Sequence, residues 1–143
     1  MLEFITFLLA PIGYAGLTST MVLSTRGRWP AMLARLTAIV VVTHVFLVWH
    51  VRYQWQFSEA TRNGFGGFAL FHAALLAIVT SLAVDFRVAR RLVIAAIVVV
   101  TMGAVAATFM YDVVEKYRLP VIAIALAGIV MALQPRAILR RSP

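Results

Sequence analysis

The side chains of this sequence with a capacity for redox or acid–base chemistry are concentrated between Ala31 and Val84, where His44, His50 and His72 all lie. An imidazole inside an apolar run is costly at membrane depth, so it marks a candidate functional position. His44 lies eight residues before Arg52, and His72 six residues after Gly66. Carried on two antiparallel helices rising about 1.5 Å per residue, the rings would sit roughly 12 and 9 Å inside a common boundary. Two neutral imidazoles level on facing helices can hold the iron of a b-type haem. Ala69, Ala73 and Ala74 beside His72 leave room for a flat macrocycle, whereas His44 has Thr43 and valines around it. The competing reading is structural: each ring donates to a backbone carbonyl, or to Thr43, Thr80 or Ser81 of a neighbouring helix, and helix association alone explains it.

A second constellation follows the first histidine. His50, Arg52, Tyr53, Trp55 and Glu59 combine imidazole, guanidinium, carboxylate and aromatic groups within ten residues. A quinone or quinol site near a membrane surface uses these types. So does an ordinary aromatic belt at the membrane–water boundary.

The elements that would position these groups follow from composition. In 143 residues, 63% are hydrophobic and the mean hydropathy is +0.95, values of a chain whose solvent is lipid. The net charge of +8 does not imply nucleic acid, because the arginines fall in short clusters between apolar runs and form no stripe on a soluble face. With no cysteine, an iron–sulfur cluster, a thiolate zinc site, a c-type haem and a disulfide are all excluded. The opening MLEFITFLLAPIGYAGL carries Glu3 where a signal peptide has basic residues, and reads as a retained first span.

Apolar runs near the length a bilayer requires predict an all-α integral membrane protein, a single domain of five transmembrane helices at about 4–23, 31–51, 66–84, 92–111 and 119–133. Pro11, Gly13 and Gly16 in the first are tolerated where neighbouring helices satisfy a freed carbonyl and use glycines for close approach. Pro30 is placed to open the second. The linker to Phe65, with Glu59, Arg62, Asn63 and Gly64, is suited to lie along the interface or to form a binding surface. Ala73, Ala77 and Thr80 make one stripe of the third span, and Gly103 with Ala107 and Gly128 with Ala132 have small-xxx-small spacing.

Five crossings gather Arg26, Arg28, Arg35, Arg87, Arg90, Arg91, Arg136, Arg140 and Arg141 on one side and leave Arg52, Arg62, Lys116 and Arg118 on the other. The positive-inside rule then puts the N-terminus outside and the C-terminus in the cytoplasm. Asp85 and Asp112 fall at helix ends beside basic residues, and no charge lies deep in a span, which argues against a proton-coupled pump or an ion channel. No phosphate-binding loop, nucleophile elbow or zinc-protease helix is present. The sequence thus implies a small integral subunit of a larger electron-transfer complex, in a bacterial inner membrane, with His44 and His72 on a haem. Its partners would be other membrane subunits and anionic lipid at the cytoplasmic face. The alternatives are a cofactor-free accessory subunit and a homo-oligomeric carrier of lipid-like or neutral substrates.

Overall fold

The computed structural model describes residues 1–62, 64–110 and 112–133. Asn63, Tyr111, Pro135 and the tail arginines Arg136, Arg140 and Arg141 therefore lie outside the described residues. Within them the chain is all-helical and contains no strand. The order is α1 (Leu2–Thr25), α2 (Ala31–Val51), α3 (Phe57–Thr61), α4 (Phe65–Thr80), α5 (Phe86–Met110), α6 (Asp112–Glu115) and α7 (Arg118–Leu133). By length and composition α1, α2 and α5 are able to cross a membrane, whereas α4 and α7 are shorter apolar helices.

Helix α1 is the centre of the arrangement, in contact with α2, α5 and α7. Pro11 lies inside it without ending it. The hydroxyls of Thr6, Thr20 and Ser24, all fully or almost fully buried, return to carbonyls of Leu2, Gly16 and Met21 at 2.8 to 2.9 Å. Each hydroxyl is thus satisfied by its own helix, which lets a polar face be buried among apolar neighbours. Gly27, at φ +79°, ends the helix in the left-handed conformation that glycine adopts without steric cost. Pro30 then serves as the N-cap of α2, which runs over the predicted residues 31–51.

Close approach between helices depends on missing side chains. A Cβ on Gly16 would stand 2.5 Å from Thr37 Oγ1 of α2, and one on Gly128 would stand 2.5 Å from Thr18 Cγ2 of α1. Gly103 serves a different purpose from the backbone approach its spacing suggests: the ring of Phe71 from α4 occupies the space a Cβ would take. The core formed by Tyr14, Leu17, Val93, Ala96, Ile97 and Val121 joins α1, α5 and α7, with Tyr14 and Thr101 hydroxyls bonded at 2.8 Å.

Contacts at the helix ends fix the relative directions. Glu3 and Arg52 approach to 3.8 Å, so the start of α1 meets the end of α2. Trp49 near the end of α2 meets Phe68 near the start of α4 at 6.0 Å, and Arg118 at the start of α7 donates to the Thr108 carbonyl near the end of α5 at 3.1 Å. At the opposite end Trp29 packs edge-on against Phe86, and Arg26 reaches the Met131 carbonyl at 3.5 Å. Successive apolar helices therefore run antiparallel.

Two element boundaries differ by more than two residues from those predicted. The third apolar run stops at Thr80, and 81–84 turn away. The fourth helix starts earlier, at Phe86, because Asp85 Oδ1 accepts the backbone N–H groups of Arg87 and Val88 at 2.9 and 3.3 Å. An N-terminal carboxylate satisfies two orphan donors there, so Arg87, Arg90 and Arg91, which fall between two predicted spans, belong to the first turns of a helix.

Candidate functional site

The aromatic residues at the junction of α2, α3 and α4 build the most connected polar site of the described residues. Trp49 is its hub. The indole meets Tyr53 edge-on at 5.8 Å, Phe68 edge-on at 6.0 Å and Trp55 in a stack at 6.0 Å. Its Nε1–H donates to His72 Nε2 at 3.2 Å. Since Nε2 accepts, the proton is on Nδ1, which donates to the Phe68 carbonyl one turn earlier at 2.8 Å. The Phe68 ring lies 4.0 Å from the imidazole, tilted by 30°, and Phe57 and Phe65 extend the cluster outward.

The backbone is bent to make this possible. Gln54 and Trp55 have φ of +48° and +62°, in the left-handed region. For residues with a Cβ this costs roughly 1–2 kcal/mol each. The bend lets Trp55 N–H reach the Trp49 carbonyl at 3.1 Å and turns the Trp55 ring back between Trp49 and Phe46. Aromatic pairs contribute about 0.5–1.5 kcal/mol beyond buried area, which is of the size needed to hold the bend.

The quinone candidates are divided by this arrangement. Tyr53 and Trp55 belong to the cluster. Arg52 faces Glu3 of α1, and Glu59 pairs with Arg62 of its own turn at 3.3 Å. His50 is exposed.

His44 is engaged elsewhere. Its Nδ1–H donates to the Thr6 carbonyl at 2.8 Å, fastening the middle of α2 to the start of α1. The two imidazoles that spacing pairs are thus held by different neighbours, one by α1 and one by Trp49 and Phe68. Helices α2 and α4 meet sparsely. These residues do not fit a bis-histidine haem as packed, because iron on His72 would displace the Trp49 indole from Nε2 and His44 is tied to α1 instead of facing it. Among the described residues no group of three or more histidine or carboxylate side chains is placed to hold a metal ion.

Three participants escape a search for chemical residue types: Trp49, Phe68 and Thr6. The first two carry a legible signal, since Phe68 and His72 are four apart on one helix, as are Trp49 and Tyr53. Thr6 acts through its backbone, for which side-chain identity gives no sign. Comparison with protein-family models, curated proteins and solved structures finds no match to this chain.

Proposed function

We propose that the chain crosses the bilayer five times, N-terminus outside and C-terminus cytoplasmic, and acts as a cofactor-free packing subunit of a larger complex in a bacterial inner membrane. The antiparallel succession supports five crossings, since α4 begins beside the end of α2, and α7 begins beside the end of α5 and ends beside the end of α1. A 16-residue helix spans about 24 Å, which a thinned bilayer or the flanking turns can accommodate.

One observation carries the subunit reading. Glycines of α1 and α7 are filled by neighbours within the chain, but Gly66 and Gly67 of α4 have nothing within 4 Å. Ala73, further along α4, is also uncovered, as are Ile39 and Phe46 on α2. Small uncovered residues on a membrane helix are where another helix makes close contact. In this reading His44 and His72 are interhelical ties.

The test is site-specific photo-crosslinking in intact membranes from Ala73 of α4 and Ile39 of α2. Adducts to a second, different membrane protein are expected. Adducts only to the same chain would favour the homo-oligomeric carrier, and adducts only to lipid would end the subunit reading.

The electron-transfer reading has one observation on its side: both Nδ1–H groups donate to carbonyls, an orientation common in metal-ligating histidines. A Soret band in purified, haem-supplied protein that is lost in both His44→Ala and His72→Ala would establish it in place of the packing role. Quinone binding at Tyr53 and Trp55 is the corresponding reading for the outer boundary.

A further inference from the structure

We infer that α5 carries a binding site for one anionic phospholipid, its phosphate on Arg87, Arg90 and Arg91 and an acyl chain in the groove between α5, α7 and α1. The inference rests on the membrane-spanning reading above.

The three arginines and Ile94 line a half-open cleft of about 300 Å³ with Phe86. Their spacing puts them on one helix face. Arg52, Arg62 and Arg118 each have a carboxylate within 4 Å, but among the described residues no such ion pair involves these three. Asp85, the nearest acid in sequence, is bonded to backbone N–H groups. The cleft thus concentrates unneutralised positive charge at the predicted cytoplasmic boundary, where guanidinium forks suit phosphate oxygens.

The second half of the site continues from the first. Ile94 also lines an apolar groove of about 370 Å³, which follows the same face of α5 through Val98 and Met102 and is closed by Met21 of α1 and Gly128 of α7. From Arg91 to Met102 the helix rises roughly 16 Å. A polar cleft and an apolar channel that share a residue have the division of a phospholipid, with its charge at the boundary and its chain in the hydrocarbon. A soluble phosphate would use only the cleft.

The experiment is intact-complex mass spectrometry of the full chain in detergent, titrated with dioleoylphosphatidylglycerol or dioleoylphosphatidylcholine. One equivalent of phosphatidylglycerol is expected to bind at least ten-fold more tightly than phosphatidylcholine. Arg87→Gln/Arg90→Gln/Arg91→Gln is expected to lower that affinity roughly 100-fold, about five-fold per guanidinium. Arg26→Gln/Arg28→Gln, on the same side, should stay within about two-fold, as its residues are outside the cleft. Val98→Trp, which keeps every charge, should weaken phosphatidylglycerol and phosphatidylcholine alike by blocking the groove. Circular dichroism checks that each variant is folded.

Equal losses in the two arginine variants would reduce the effect to diffuse attraction and overturn the site. Unchanged binding by Val98→Trp, or displacement of the lipid by millimolar glycerol 3-phosphate, would overturn the acyl-chain half and with it the proposal. Extraction of the chain from membranes by alkaline carbonate would instead overturn the spanning reading itself, independently of the lipid titration.

Discussion

The imidazole of His72 uses both of its nitrogens, and the energetic consequence can be measured. Trp49→Phe keeps a ring at the hub but removes the Nε1–H donor, and should cost about 1 kcal/mol of stability, as interhelical hydrogen bonds in bilayers do. Reversible unfolding in mixed micelles reads this. His72→Leu should cost more, since the contact with Phe68 at 4.0 Å is lost too. Gln54→Gly should act in the opposite direction, gaining up to about 1 kcal/mol by relieving a left-handed φ in a residue with a Cβ. That the histidines could tie to backbone carbonyls was legible in the sequence; which carbonyls, and the Trp49 donor to His72, were not. A helix that is apolar on every side gives no periodic sign of its rotation, so spacing suggests a depth for His44 and His72 but not the directions of their rings. Backbone carbonyls were among the candidate partners, and His44 and His72 each donate to one, that of Thr6 and that of Phe68, and not to Thr43, Thr80 or Ser81.

Among the helices, glycine divides into positions already filled and positions left open, and the two kinds predict opposite signs. Gly16→Ala should destabilise the α1–α2 pair by about 1–3 kcal/mol, because the new methyl meets Thr37 and the backbones must part. Thr37→Ala in the same chain should recover most of that loss, with a coupling of at least about 1 kcal/mol in a double-mutant cycle. Gly66→Ala and Gly67→Ala should each stabilise the isolated chain by about 0.5–1 kcal/mol, because alanine is the better helix former and the space is empty. The same two variants should lower recovery of the partner protein in mild detergent. Improved folding together with unchanged partner recovery would separate these glycines from any interface. The apolar helices were visible in the sequence because runs of that length have few other uses. Their limits were less visible: Asp85 caps α5, so basic residues that look like the end of a span are the beginning of a helix.

For the molecule as a whole, the absence of cysteine from the sequence provides a clean background for reading topology. Ser58→Cys, in α3, should react with an impermeant maleimide from outside intact cells. Arg28→Cys and Ala83→Cys should react only after the membrane is opened. Labelling of position 28 from outside would reverse the orientation, and labelling of 58 and 83 from the same side would remove the crossing by α4. The orientation was read from arginine distribution alone, a signal spread over several loops that no single contact could supply. The pattern of contact was beyond that reading, since charge counts say nothing about which helix touches which. The central role of α1 has a consequence for how the molecule is made. Helix α1 precedes α7 in the chain, and α7 seats Gly128 against Thr18 of α1. One flank of α1 therefore stays uncovered until α7 has been made. A chaperone would find its opening there, and the bundle closes only when these two helices meet.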